Sequence, residues 1–279
     1  MTPRRSVLYL PASNPRAVEK ARTLPCDVVV LDLEDAVGPD DKAAARDAAV
    51  AALRQGGFQA REVGVRVNGL DTEWGDADLT ALYAASPAFI VAPKVSTADQ
   101  AAAFTARLPD GAALWAMIET PQALFHLDAI AATARMGALM LGVNDLAAML
   151  RSAPSPDREP LKTAMSLTVA AARAHGLSPI DGVFNALDDD AGFEAECRQG
   201  RLYGFDGKSL IHPRQIAPAN AAFAPSADDI AWAEAVVAAF DDPAHVGKGV
   251  IRVHGAMVER LHLARARDTL ALHDLAGTL

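Results

Sequence analysis

Short apolar runs alternate along this chain with longer, alanine-rich stretches of helical period. The runs are Ser6–Leu10, Val28–Leu33, Val63–Val67, Phe89–Ala92, Leu114–Ile118, Ala138–Leu141, Ser178–Ile180 and Tyr203–Phe205. Eight such strands, parted by helix-length segments, predict an all-parallel sheet closed on itself: a (β/α)8 TIM barrel of the α/β class. The rival is an open doubly wound sheet, which usually carries a glycine fingerprint after its first strand. Here the first run leads into Pro11-Ala-Ser-Asn-Pro15 instead.

Helix starts support the same reading. Asn14 before Pro15 is an N-cap with proline at the first helical position, and Thr120 before Pro121 repeats the device. The barrel is expected to occupy residues 1–220 and a C-terminal extension residues 221–279. Within the extension, Ala221–Asp229 reads as a linker and Ile230–Phe240 as a helix. A glycine-rich segment, Gly247–Gly255, then precedes a last helix from about Val258. This tail is too short for a domain of its own and is expected to serve as a lid or an oligomer contact.

With 279 residues, 51% of them hydrophobic, the chain can bury one large core. Its formal net charge of −9 argues against a nucleic-acid or anionic-membrane partner. Cys26 and Cys197 form no Cys-x-x-Cys pair, which argues against a disulfide framework or thiolate metal site and fits a reducing compartment. The apolar run after Arg4 and Arg5 is too short for a signal peptide or a membrane span, so a soluble, cytoplasmic protein is expected.

Barrel enzymes carry their chemistry where the strands end. The residues there are Asp32, Glu34, Asp35, Arg66, Asn68, Lys94, Glu119, Asn144, Asp145, Asp181, Asp206 and Lys208. A solvated rim is polar too, but carboxylates recurring at strand ends are less ordinary. Glu119 and Asp145 follow adjacent strands and could converge on one hard cation, with water or substrate oxygens completing its shell. Each has a plainer role available, Glu119 beside a helix start and Asp145 as an N-cap. Together they favour a metal.

Arg66, within Val-Gly-Val-Arg-Val-Asn, must face the barrel mouth or find a carboxylate. A pair with Glu34 or Asp35 and a clamp on developing negative charge are compatible, since an arginine held by acids is preorganised. Arg16 and Lys20, at i and i+4, could hold phosphates near a helix N-terminus, although a solvated face beside Glu19 explains the spacing equally well. Phe205-Asp-Gly-Lys-Ser ends like a P-loop but has Leu202 where the first glycine belongs. There is no His-x-x-x-His pair and no Gly-x-Ser-x-Gly elbow.

These stretches resemble the citrate lyase β-subunit-like branch of the HpcH/HpaI aldolase superfamily, which includes malyl-CoA and citramalyl-CoA lyases and related thioesterases. The matching segments include Arg5-Ser-Val-Leu-Tyr-Leu-Pro11, Val29-Val-Leu-Asp-Leu-Glu-Asp-Ala-Val37 and Val65-Arg-Val-Asn68. Met117-Ile-Glu-Thr-Pro121, Gly142-Val-Asn-Asp-Leu-Ala147 and Gly204-Phe-Asp-Gly-Lys-Ser-Leu-Ile-His-Pro213 continue the match in order. The resemblance implies that Glu119 and Asp145 hold Mg²⁺, that Arg66 contacts substrate oxygens with Lys94 among the substrate-binding groups, and that Glu34 and Asp35 support the site. It also implies that Arg16 and Lys20 meet the CoA phosphates.

The implied activity is carbon–carbon cleavage of a 3-hydroxyacyl-CoA thioester into an enolate and a 2-oxo acid such as glyoxylate or pyruvate. Thioester hydrolysis, or a citrate lyase β-like subunit active only in a complex, is the alternative. The implied assembly is a homo-oligomer, a trimer or a multiple, whose lid presents a proton-transferring aspartate to a neighbour. This chain departs from that pattern by placing Glu259 there, a carboxylate one methylene longer.

Overall fold

The structure, a computed structural model, describes residues 2–276. Eight parallel strands hydrogen-bond in sequence order, and the last closes onto the first. They are β1 (Ser6–Pro11), β2 (Val28–Asp32), β3 (Glu62–Arg66), β4 (Phe89–Ala92), β5 (Ala113–Ile118), β6 (Met136–Leu141), β7 (Ser178–Asp181) and β8 (Gly207–Leu210). This is the expected (β/α)8 barrel.

Alternation along the strands separates two cores. Val7, Val28, Val30, Phe89, Val91, Trp115, Met140 and Ile180 fill the barrel interior. Val29, Leu31, Val65, Leu114, Leu139 and Leu141 face outward, where the helices cover them. At one end Arg4 closes the interior: its guanidinium lies 4.6 Å from the Trp115 ring centroid and pairs with Glu62 at 2.7 Å. Trp115 stacks on Phe89 with ring centroids 3.7 Å apart. Gly207 is obligatory at this end, because a Cβ there would lie 1.9 Å from the Arg4 carbonyl oxygen.

The expected caps form. Asn14 accepts from the Ala17 N–H at the start of α1 (Pro15–Ala21), and Thr120 accepts from Ala123 N–H. The eighth strand differs from expectation. Tyr203 ends a helix begun at Asp190, and Gly204, at φ 99°, caps it in the left-handed conformation. The strand is instead Gly207-Lys-Ser-Leu210, whose lysine is wholly buried.

The chain divides into two compact units, one from Arg4 to Phe223 and the other from Ala224 onward with the first residues of the chain. In the second unit the helices Ala227–Asp241 and Arg260–Ala276 pack with a hairpin of β9 (Val250–Val253) and β10 (Ala256–Glu259). Val236, Ile251, Val253, Val258 and Leu263 form its core. The glycine-rich segment is thus half of a β-hairpin. The last helix starts at Arg260, so Val258 and Glu259 belong to a strand. Among the described residues no helix is long and apolar enough to cross a membrane.

Candidate active site

Inward-pointing residues at the strand C-termini enclose a cavity of about 390 Å³, lined among others by Tyr9, Asp32, Arg66, Glu119, Asp145 and Ser209. The parity that sends Val28 and Val30 inward continues to Asp32, and that of Trp115 and Met117 continues to Glu119. Asp181 and Lys208 fall on the opposite parity.

Arg66 and Asp32 are register partners on β3 and β2. Arg66 Nε donates to Asp32 Oδ1 at 2.7 Å and Nη2 to Asp32 Oδ2 at 2.6 Å. Nη1 lies 2.8 Å from Glu34 Oε2 and 3.5 Å from Asp35 Oδ2. Burial opposes the guanidinium's charge, but its hydrogen bonds to Asp32 and the nearby carboxylates more than offset it and hold its pKa high. Its main anchor is therefore Asp32, with the expected Glu34 and Asp35 as secondary partners. Burial raises the Glu34 carboxyl above its ordinary range, against the pull of Arg66 and Lys94.

Lys94 joins two parts of the site. Its backbone has φ 52°, a left-handed conformation unusual for a side-chain-bearing residue. Its N–H donates to Glu119 Oε1 at 2.7 Å. Its ammonium, half exposed, donates to Glu34 Oε1 at 2.5 Å.

Glu119 is 1% exposed. Burial raises its pKa from an ordinary 4.5 to about 7; the Lys94 N–H works against this, and Glu34 and Asp145 add to it. Its second oxygen faces Gly142, where a Cβ would lie 2.4 Å away. Only glycine leaves that carboxylate its place. Asp145, partly exposed, stands in the first turn of the helix Val143–Leu150 and lines the same cavity.

Asp32, Glu34 and Asp35 thus gather around Arg66 and Lys94, and Glu119 and Asp145 line the same cavity. This donor set suits a hard cation bound through one or two carboxylates that keeps water or substrate oxygens in its shell. Among the described residues no group of three or more His, Cys, Asp or Glu side chains is arranged to hold a metal ion, so such a cation would rest on at most two protein carboxylates.

Three cavity residues were not singled out in the sequence. Tyr9 continues the inward parity of Val7. Its hydroxyl meets the sulfurs of Met117 and Met140 at 3.7 and 3.4 Å, and burial keeps the phenol protonated. Asn185 pairs with Asn144. Ser209 is inward on β8 and 3% exposed.

Other strand-end residues do not join the cavity. Asp181 and Lys208, both fully buried, pair at 3.0 Å outside the barrel wall. Arg158 reaches Asp181 at 2.7 Å, and Glu196 reaches Lys208 at 2.6 Å. Burial favours the neutral Asp181 acid, but Lys208 and Arg158 hold its pKa below the ordinary value. Arg16 and Lys20 are exposed on α1 and do not line the cavity.

The sequence profile of the HpcH/HpaI aldolase/citrate lyase family matches residues 5–213, and the chain belongs to that family. It is 48% identical to a (3S)-malyl-CoA thioesterase of Cereibacter sphaeroides strain KD131, covering 96% of this chain and 94% of the relative. To an L-malyl-CoA/beta-methylmalyl-CoA lyase of Cereibacter sphaeroides it is 32% identical, over 95% and 92% of the two chains. The solved structure of CitE from Mycobacterium tuberculosis, in complex with magnesium, acetoacetate and coenzyme A, superposes with a TM-score of 0.80. That pair is 31% identical over 96% of this chain and 97% of the other. The expected lyase activity is corrected by these relationships: identity over nearly the full length is higher to the thioesterase than to the lyase.

Proposed function

We propose that this protein is a thioesterase hydrolysing a malyl-CoA-type thioester, with Mg²⁺ held by Glu119 and Asp145. The 48% identity to a (3S)-malyl-CoA thioesterase, over 96% of the chain, carries the reading. Water adds to the thioester carbonyl carbon, the C–S bond breaks, CoA leaves as its thiol, and the hydroxy acid loses a proton to solvent. Hydrolysis releases no 2-oxo acid.

When bound, magnesium supplies positive charge that orients and polarises substrate oxygens. Arg66, fixed by Asp32, Glu34 and Asp35, offers its remaining Nη2 N–H to oxygen in the cavity, where a preorganised donor acts without reorganisation. Asp35 and Lys94 extend this charged wall. Tyr9, Met117, Val143 and Val183 line the cavity with apolar surface that limits water. Arg16 and Lys20 take the CoA phosphates, and Glu259, a partly buried carboxylate on β10, is the proton-transfer group presented to a neighbouring subunit's site. The same reading carries a cytoplasmic homotrimer, which sedimentation equilibrium tests.

The substrate is tested with malyl-, methylmalyl- and citramalyl-CoA, following thiol release with and without Mg²⁺. Fastest Mg²⁺-dependent release from malyl-CoA is expected. No release from any of the three rejects the reading.

A further inference from the structure

Lys42 is the first residue of α2 (Lys42–Gln55), a position that could keep a lysine in solvent at little cost, yet it is 6% exposed. Burying an ammonium is expensive unless its donors are satisfied. Here they go to main chain: Nζ donates to the Leu33 carbonyl at 2.8 Å and the Glu34 carbonyl at 2.7 Å. The Trp74 ring centroid lies 5.3 Å from the ammonium. The negative charges of Asp32, Glu34, Asp78 and Asp35 favour the ammonium from a distance, without pairing with it.

The segment it grips follows β2 and carries Glu34 and Asp35 toward Arg66. From the other side Asp32 holds the same segment, accepting from the N–H groups of Glu34 at 3.0 Å and Ala36 at 3.2 Å. One turn along α2, Arg46 pairs with Asp78 at 2.7 Å. Asp78 accepts from the backbone and side-chain nitrogens of Asn68, and Asn68 Nδ2 also donates to the Leu33 carbonyl. Two cations on one face of α2 therefore brace the segments that follow β2 and β3, on either side of Arg66.

We infer that Lys42 is a positioning residue for the Arg66 guanidinium, acting through the Leu33 and Glu34 carbonyls to set the Glu34–Asp35 segment against it. The contrast with Lys208 supports this. That buried ammonium is matched by the carboxylates of Asp181 and Glu196, whereas Lys42 grips backbone carbonyls at the edge of the site. The kinetic part of the inference rests on the thioesterase reading; the geometric part does not.

The test uses the full chain, with the Arg66 Nε–H resonance assigned by its loss in Arg66→Met. Arg5 is the internal reference, because its Nε is held by Asp27 at 2.8 Å in another buried pair. In Lys42→Met the Arg66 resonance is expected to shift and broaden while that of Arg5 stays in place. With malyl-CoA, kcat should fall about tenfold or more, with a smaller change in KM, as expected when a group near the chemistry is misplaced. If Lys42→Met does not fold, Lys42→Gln keeps an amide donor in the same chamber and carries the test at smaller amplitude. An unmoved Arg66 resonance in a folded variant overturns the inference, whatever the substrate. So does a displaced resonance with unchanged kcat, or equal displacement of Arg5 and Arg66. A selectively displaced Arg66 in a protein whose wild type hydrolyses none of the thioesters supports Lys42's role and rejects the thioesterase reading.

Discussion

Arg66 and Asp32 sit at the same level of adjacent parallel strands and meet through two hydrogen bonds of 2.7 and 2.6 Å. The pair turns a flexible cation into a fixed one, and it points into the cavity because both residues fall on the inward parity of their strands. Arg66→Lys keeps the charge but loses the planar fork. Turnover should fall ~10²–10³-fold, the usual loss for one preorganised donor. Near-normal turnover in a folded Arg66→Lys protein contradicts the role given to Arg66.

The raised Glu119 pKa has a defined sign. In the metal-free protein the buried acid is protonated more readily than in the unfolded chain. Stability linked to this group is therefore fully present below 4.5 and lost as pH rises through about 7. If Glu119 is a ligand, Mg²⁺ must displace that proton, so its affinity should rise with pH up to about 7 and binding should release protons at pH 6. Calorimetry in buffers of different ionisation enthalpy measures the release. Proton release equal to wild type in Glu119→Gln rules out this assignment.

Gly142→Ala should weaken Mg²⁺ binding without touching a charged residue, because the new Cβ falls 2.4 Å from Glu119 Oε2. A tenfold or greater loss of affinity is expected, on the order of 1.4 kcal/mol. Wild-type affinity would show that Glu119 is not a ligand.

Much of the fold and part of the site were legible in the sequence. Eight apolar runs with helix-length spacers set the barrel, and Asn14-Pro15 and Thr120-Pro121 marked real helix starts. Glu119 and Arg66 could be read as inward from their strands, and Tyr9 lay within reach of the same period-two count, whereas Ser209 lay beyond the expected eighth strand. The eighth strand was misplaced because Lys208 looks polar. Its burial depends on Asp181, Arg158 and Glu196, which are distant in sequence. The Asp32 anchor was obscured because strand register decides which acid faces Arg66, and register is a tertiary property.

The buried pair Lys208–Asp181 predicts a loss of stability rather than of chemistry. Lys208→Met leaves two carboxylates facing Arg158 alone and should destabilise the protein by about 3–5 kcal/mol. Chemical denaturation measures it, and turnover per folded molecule should stay near wild type. A stable variant with lost turnover would return Lys208 to the active site.

Glu259→Gln separates a proton-transfer group from a partly buried strand residue with no part in the chemistry. Turnover should fall by ~10²-fold or more while Mg²⁺ affinity and the melting temperature remain unchanged. Unaltered turnover removes Glu259 from the mechanism.

The most direct measurement follows malyl-CoA turnover with Mg²⁺ in ¹⁸O-labelled water by mass spectrometry. Hydrolysis predicts malate carrying one solvent oxygen in the former thioester carboxyl group, with one equivalent of free CoA thiol. Glyoxylate with acetyl-CoA, or malyl-CoA recovered unchanged, would contradict the thioesterase assignment.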